Sequence, residues 1–348
     1  MLIERIEAKW IDAFEHTFAL CGVQPGDSAA ILSETQSRPL HAHLAELALA
    51  RLGVRAFHLV VATPKLTAPV PVRSTGASDS IGALEPVVQA LASSAFVADL
   101  TVEGLLHAAE LPRILQGGAR VLMVSNEHPE TLERCLPDAA LEPKVKAGMK
   151  RMKAARTMHV TSAAGTDLRI ALEGARVGGG WGYTARPGTI SHWPGGLCLA
   201  FPARGGVNGT LVLDRGDVNL TFKRYLDERV VLSVESDFVT RIEGAGVDAE
   251  LMRGYFAAWG DREAYAVSHV GFGLNPKARW DAMTFYDKRD FNGTELRAFA
   301  GNFLYSTGAN EVAARHTLGH FDLPLRNCTI ALDDAVVVDA GRLCGDLA

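Results

Sequence analysis

The sequence predicts an α/β domain built on a parallel sheet, followed by a β-rich α+β domain. Strand-like and helix-like segments alternate over residues 1–140, which we call the first half. Hairpin-like segments replace them over residues 141–348, the second half. With 348 residues, of which 48% are hydrophobic and 22% are charged, the chain is long enough to form a hydrophobic core in both domains.

The first half shows its alternation most clearly near the N-terminus. There, "DSAAILSE" is typical of a buried strand, "PLHAHLAELALARLG" of an amphipathic helix and "VRAFHLVVA" of a second strand. Gly53 stands where a helix C-cap is expected. No GxGxxG or GxxxxGK[ST] motif follows these strands, so the sequence predicts a Rossmann-like layer without a nucleotide-binding loop.

The second half begins with a basic helix in "LEPKVKAGMKRMKAARTMHV", which we interpret as a link between the domains. Hairpins are predicted in "HVTSAAGTDLRIAL", "TLVLDRGDVNLTFK", "RVVLSVESDFVTRIEG" and "CTIALDDAVVVDAG". Single helices are predicted at 249–259 and near 295–303. These segments together favour antiparallel sheets.

Composition excludes several classes of protein. A net charge of -5 gives no electrostatic reason to bind nucleic acid or an acidic membrane surface. The five cysteines are scattered and form no CxxC, which argues against a disulfide framework, a zinc knuckle or an iron–sulfur cluster. The N-terminus is typical of an amphipathic helix rather than a signal peptide, and no apolar run reaches the length of a membrane span. We therefore expect a cytoplasmic protein that binds a small molecule.

Candidate metal ligands occur near the C-terminus in "GHFDLPLRNC", which contains His320 and Asp322. On a strand, residues two apart project from the same face, so both side chains can reach one ion. The spacing alone equally fits an ordinary polar pair at a strand end. Further histidines stand in "SHVGFGLNP" (His269) and "TISHWPGGL" (His192). Two histidines and one carboxylate form the facial triad of non-haem Fe(II) oxygenases, which leaves open coordination positions.

Several segments together resemble one family. "SHVGFGL", "GNFLYSTG", "GHFDLPLRNC", "SHWPGG", "GTLVLDRGD" and "LLHAAELPRIL" are ordered matches that together resemble the 2,5-dihydroxypyridine 5,6-dioxygenases of nicotinate degradation. That family is in turn similar to the M29 metallo-aminopeptidases. The resemblance extends over almost the whole chain.

The resemblance implies an Fe(II) ion held by His269, His320 and Asp322 in the second half, which would make it the metal-binding domain. It also implies that His107 and His192 lie near the substrate as catalytic histidines, so the site would lie between the two domains. The implied reaction is an extradiol-like ring cleavage that converts 2,5-dihydroxypyridine and O2 into N-formylmaleamate. A homo-oligomer, in the form of a hexamer, is implied as well.

One position departs from the family pattern. An acidic residue is expected shortly before the Gly-Tyr pair, but "VGGGWGYTARPG" has Gly180 there. A carboxylate at this place would bind the ring N–H or hydroxyl, so its loss leaves the ring substituents open. Trp181, Tyr183 and Arg186 are the predicted replacement contacts. Ser306, in "GNFLYSTG", is a further candidate substrate contact.

Three alternatives remain at this stage. A dioxygenase of the same kind can act on another hydroxylated aromatic ring. A metallo-aminopeptidase would need additional carboxylates to bridge two metals, but Val207 and Asn208 stand where one is expected in "FPARGGVNGTLVLD". A non-catalytic binding protein would have to keep a costly buried His/His/Asp cluster without using it.

Overall fold

The computed structural model describes residues 5–65, 79–288 and 292–348. Within these ranges the α-helices are α1 Ala8–Leu20, α2 Pro39–Arg51, α3 Glu85–Ala92, α4 Leu111–Gln116, α5 Pro129–Arg134, α6 Leu141–Ala154, α7 Val247–Trp259 and α8 Thr294–Ala298. The strands are β1 Ser28–Glu34, β2 Arg55–Val61, β3 Phe96–Asp99, β4 Arg120–Met123, β5 Thr157–Ser162, β6 Asp167–Ala171, β7 Arg176–Gly180, β8 Ile190–His192, β9 Leu197–Phe201, β10 Val207–Leu213, β11 Val218–Asn219, β12 Arg224–Tyr225, β13 Val230–Glu235, β14 Phe238–Glu243, β15 Val267–Gly273, β16 Phe303–Thr307, β17 Phe321–Leu325, β18 Cys328–Leu332, β19 Ala335–Asp339 and β20 Arg342–Leu343. In the described part of the chain, no helix combines the length and the apolar character that crossing a membrane requires.

The predicted parallel sheet is present, with the strand order β2-β1-β3-β4-β8. Every pair of neighbours in it is parallel. Strand β1 shows why both faces are covered: Ile31 packs in a core with helices α1 and α2, while Ala30 packs in a second core with α3 and α4. Successive residues of a strand face opposite sides, so an apolar strand such as β1 requires helices on both faces.

Strand β8 comes from the second half but extends the sheet of the first half. It pairs in parallel with β4, with His192 opposite Met123. The next residue, Trp193, is completely buried, and its ring centroid lies 5.2 Å from that of Phe14 in α1. The predicted division into two domains at residue 140 stays a prediction. The parallel sheet includes one strand, β8, from beyond that residue.

The second half forms antiparallel sheets, as its pattern predicts. One has the strand order β14-β13-β10-β6-β5-β18-β19-β20 and another β17-β16-β15-β9-β7. A single hydrophobic core contains side chains from both, including Leu211 and Ile330 from the first and Val270 and Phe321 from the second. The predicted hairpins β5–β6, β13–β14 and β18–β19 are confirmed.

The hairpin predicted in "TLVLDRGDVNLTFK" is wrong. Strand β10 pairs with β6 and β13, whereas β11 pairs with β12. The buried carboxylate of Asp217 accepts hydrogen bonds from the backbone N–H of Asp214 and of Arg326, each at 2.8 Å. These bonds direct the chain after β10 away from its own strand, which the alternation of residue types does not reveal.

The basic segment predicted as a linking helix is α6, and it has a packing role as well. Its buried residues Leu141, Val145, Gly148 and Met152 face β7 and β9. A Cβ at Gly148 would lie 2.9 Å from the Sγ of Cys198 in β9. The helix therefore covers the sheet that contains β15 and β17.

Trp193 should be a main anchor between the two halves. Besides its contact with Phe14, its indole Nε1–H donates to the carbonyl oxygen of Cys135 at 2.9 Å. We expect Trp193→Ala to lower the free energy of unfolding by about 3–5 kcal/mol, through lost burial and the cavity that remains. Urea denaturation followed by far-ultraviolet circular dichroism measures this.

The matched control is Leu47→Ala, at a helix position that is 39% exposed. It should change the free energy of unfolding by less than about 0.5 kcal/mol. Equal effects of the two substitutions would contradict the anchoring role of Trp193.

Candidate metal centre

Three adjacent strands align the candidate ligands across one sheet. In the register, His269 of β15 lies opposite Ser306 of β16, which in turn lies opposite Asp322 of β17. Residues directly opposite each other on neighbouring strands project from the same face. The short side chain of Ser306 therefore leaves room between the imidazole and the carboxylate. Phe321 projects to the other face, where its ring centroid lies 4.6 Å from that of Tyr255.

His320 completes the group from just outside β17, so the observed strand begins one residue later than the predicted strand, which included His320. The hydroxyl of Tyr255 accepts a hydrogen bond from the His320 N–H at 3.0 Å and donates one to the His320 carbonyl oxygen at 2.6 Å. The His320 Nε2 lies 3.2 Å from the Oδ1 of Asp322, and the His269 Nε2 lies 3.9 Å from the same oxygen. The structure thus brings these three side chains together.

His107 joins the cluster from the first half. It follows the carboxyl end of β3, and its ring centroid lies 4.9 Å from that of His320 and 6.0 Å from that of His269. One nitrogen from each of these three histidines lies within 4.8 Å of the other two. A second possible ligand set, consisting of three histidines, therefore overlaps with the predicted triad.

Burial keeps the imidazoles of His107, His192 and His269 neutral. Desolvation lowers the pKa of His269 to about 3, and it also lowers the pKa values of His107 and His192. The Ser268 hydroxyl donates to the Ala309 carbonyl oxygen at 2.5 Å, so its oxygen must accept from the Nδ1–H of His269, 3.1 Å away. That bond leaves the lone pair of His269 on Nε2, the nitrogen that faces Asp322.

Asp322 is ionised despite its burial. Burial alone would raise the pKa of its carboxyl, but the charge of Arg297 holds this pKa well below its usual value. The Arg297 Nε–H donates to Oδ2 at 2.6 Å, and the Ser306 hydroxyl donates to Oδ1. Sequence reasoning missed Arg297, which belongs to the five-residue helix α8 and stands in no recognisable motif.

Helix α8 is fixed in place by buried carboxylates. Glu127, beyond the end of β4, accepts hydrogen bonds from the backbone N–H groups of Gly293 at 3.2 Å and Thr294 at 2.8 Å. A carboxylate at a helix N-terminus satisfies N–H groups that have no partner within the helix. Within α8, Glu295 accepts a hydrogen bond from Arg134 of α5 at 2.7 Å. The first half therefore sets the position of the helix that carries Arg297.

A pocket opens over these residues, and we call it the central pocket. Its lining residues come from both halves and are Glu103, Leu106, His107, Met123, Ser125, His192, Leu197, Leu199, His269, Asn292, Thr294, Arg297, His320 and Asp322. The carboxyl ends of β3, β4 and β8 meet here, which is the usual ligand-binding edge of a parallel sheet.

His192 has a defined tautomer in this pocket. Its Nδ1 lies 2.6 Å from the carbonyl oxygen of Pro194, which can only accept, so the proton is on Nδ1 and the lone pair on Nε2. A Cβ at Gly180 would lie 2.9 Å from this Nε2. The missing side chain at position 180 is therefore the reason that the His192 ring can occupy its place.

The other predicted substrate contacts do not line the central pocket. Trp181 borders a separate cleft beside Pro137 and Lys144, the Tyr183 hydroxyl donates to Glu142 at 2.5 Å, and Arg186 is exposed. The turn after β7 directs these side chains away from the histidines, which local sequence cannot show. Ser306 is completely buried beneath the ligands and contacts Asp322 instead of the pocket.

The donor atoms fit a divalent first-row metal ion. Neutral imidazoles and a carboxylate are ligands that such ions bind well. Donors about 2.1 Å from one ion and at right angles to each other lie about 3 Å apart. The 3.2 Å between His320 Nε2 and Asp322 Oδ1 is close to this separation. The carboxylate oxygen therefore lies at a separation from His320 that two ligands of one ion can have.

Comparisons with known proteins show the family of this chain. Residues 9–345 match the family NicX, described as 2,5-dihydroxypyridine 5,6-dioxygenase. The chain is 39% identical over 341 residues to the 2,5-dihydroxypyridine 5,6-dioxygenase of Pseudomonas putida KT2440, covering 96% of this chain and 95% of that protein.

Solved structures give the same result. A 2,5-dihydroxypyridine dioxygenase from Pseudomonas putida KT2440 superposes with a TM-score of 0.92 at 36% identity, covering 99% of each chain. AmpT from Thermus thermophilus shares the fold at 15% identity, with a TM-score of 0.64 over 97% of this chain and 99% of its own. Sequence and structure together show that this chain belongs to the 2,5-dihydroxypyridine 5,6-dioxygenase family.

Proposed function

We propose that this chain is a 2,5-dihydroxypyridine 5,6-dioxygenase whose Fe(II) ion is held by His269, His320 and Asp322. The observation that carries the proposal is the convergence of both histidine Nε2 atoms on one oxygen of Asp322, at 3.2 and 3.9 Å, beside the central pocket. The family match supports the same substrate. The reaction adds both atoms of O2 to the ring and gives N-formylmaleamate.

A bound Fe(II) ion supplies the open coordination positions and the redox chemistry that joins the ring to O2. The protein's own groups handle protons and charge. His192 has its lone pair on Nε2, so it accepts a proton from a ring hydroxyl as the substrate binds. His107 is also neutral and provides a second proton-transfer group at the pocket. Arg297 keeps Asp322 ionised and therefore able to act as a ligand.

The aminopeptidase alternative gains no support from the family match. Asn208 stands at the position where a peptidase would need a bridging carboxylate. Its side chain accepts a hydrogen bond from the Ser236 N–H, in the sheet that contains β10. Its side chain is thus occupied in a turn contact outside the central pocket.

The activity itself can be tested directly. Anaerobic protein is loaded with Fe(II) and mixed with 2,5-dihydroxypyridine, and air is then admitted. We expect the ultraviolet band of the ring to disappear with the uptake of one O2 per ring. A lack of O2 uptake with any dihydroxypyridine, together with release of amino acids from peptides in Zn(II) or Co(II), would overturn the proposal.

Substitutions distinguish the two ligand sets. Asp322→Ala and His320→Ala should each remove iron from the folded protein, whereas His107→Ala should retain it and lose about 10²–10⁴-fold in kcat, the usual contribution of a proton-transfer group. Iron content after desalting and circular dichroism give the two measurements. Asp322→Asn serves as the isosteric control. Iron lost from His107→Ala and kept in Asp322→Ala would show a three-histidine site instead.

Gly180 should control the position of His192. A Cβ there would approach the imidazole to 2.9 Å, which is closer than real Cβ atoms come, so Gly180→Ala must displace the ring or the strand. We expect kcat/KM to fall at least about tenfold, as a displacement of about 1 Å in a catalytic group can cost 10²-fold. Iron content should not change. Gly180→Glu then separates the effect of a carboxylate from that of size, and unchanged kinetics in Gly180→Ala would refute the steric argument.

A further inference from the structure

Asn292 joins the two sides of the central pocket through its side-chain amide. Asn292 is 6% exposed and lies two residues before the first residue of α8. Its Oδ1 accepts a hydrogen bond from the Arg297 Nη1–H at 2.9 Å, and its Nδ2 donates to the Val102 carbonyl oxygen at 3.3 Å. Only this orientation of the amide satisfies both contacts, because a guanidinium only donates and a carbonyl only accepts.

The Val102 end belongs to the segment that carries His107. Residues 100–107, which we call the His107 loop, run from the end of β3 to that histidine. Within the loop, the Val102 N–H donates to the Glu34 Oε1 at 3.1 Å, and the Leu105 N–H donates to the Asp99 Oδ2 at 2.7 Å. The acceptors of both bonds, Glu34 and Asp99, belong to the first half. Asn292 supplies a bond that ties the loop to the second half.

The Arg297 end belongs to the metal centre. The guanidinium binds Asp322 through Nε and Asn292 through Nη1, so the two contacts together fix its plane. A continuous path of hydrogen bonds thus runs from the His107 loop through Asn292 and Arg297 to the carboxylate.

We propose that Asn292 is a positioning residue that fixes the His107 loop relative to the metal ligand Asp322. This proposal rests on the function proposed above. A planar amide with a donor at one end and an acceptor at the other fixes the distance between its two partners. Such outer contacts orient the groups that act on a bound metal or its substrate. Asn292 acts through His107 and not on the metal itself.

Two substitutions test the two hydrogen bonds of the Asn292 side chain. Asn292→Ala removes both hydrogen bonds. Asn292→Asp is nearly isosteric and can still accept from Arg297, but it has no N–H to donate to Val102. Asp322 keeps its bonds from Arg297 Nε and Ser306 in both variants, so the affinity for Fe(II) in an anaerobic titration should stay within about twofold of wild type.

Both variants should lower kcat about 10- to 100-fold, the usual effect of losing such an outer contact. A double-mutant cycle with His107→Ala identifies the route of the effect. If Asn292 acts through His107, adding Asn292→Ala to His107→Ala should lower kcat by less than about twofold. An equal loss in both backgrounds would overturn the proposal, as would a raised KM with unchanged kcat, which would make Asn292 a substrate contact.

Hydrogen exchange gives a readout that needs neither iron nor activity. The backbone amides of the His107 loop should exchange faster in Asn292→Ala and in Asn292→Asp than in the wild type. Unchanged exchange in both variants would overturn the coupling. If the wild type failed to cleave a dihydroxypyridine, the proposed function would fail while this measurement still tested the coupling.

Discussion

The ionised carboxylate of Asp322 is the constraint on which the rest of the structure depends. An unpaired charge that is 98% buried would be strongly destabilising, so this side chain requires partners at both oxygens. Ser306 meets Oδ1 and Arg297 meets Oδ2. Arg297 in turn requires that α8 be fixed, which Glu127 of the first half accomplishes. A single buried charge thus links the antiparallel sheet of one half to the strand ends of the other.

The two kinds of sheet contribute different properties to the pocket. Across the antiparallel strands β15, β16 and β17, the register places side chains opposite each other at short, repeated spacings, which suits groups that must share an ion. The carboxyl ends of the parallel strands present loops, which suits groups that face a substrate. His107 and His192 come from those ends. The proposed metal ligands and the proposed proton-transfer groups are therefore supported by separate scaffolds.

Local patterns in the sequence predicted the parts of the protein that depend on near neighbours. Residue alternation identified β1 and β2, and the two-residue spacing placed Phe321 and Asp322 on opposite faces of one strand. The opposition of His269 and Ser306 could not be predicted, because a shift of register near Val267 precedes it. The same holds for Arg297, whose role arises only where a short helix from one segment meets a strand from another.

Contacts between distant segments also explain where the predicted substrate residues went. The residue types in "WGYTARPG" suit binding of an aromatic ring, but the ring of Tyr183 packs in the core of the first half and its hydroxyl donates to Glu142 of α6. Resemblance to the family compensated for some of this, since it implied that His107 and His192 lie near the substrate, and both line the central pocket. The type of a side chain indicates which chemistry it can perform, whereas the site that it faces depends on the whole fold.

The insertion of β8 into the parallel sheet has a consequence for how the gene can be divided. A fragment that stopped near residue 140 would expose the edge of β4 and leave the space beside Phe14 unfilled. A fragment that began there would carry His192 on a strand with no sheet to join. The two halves are thus not exchangeable modules, and recombination between relatives would preserve the pocket only where its crossover points keep β4 and β8 from the same parent.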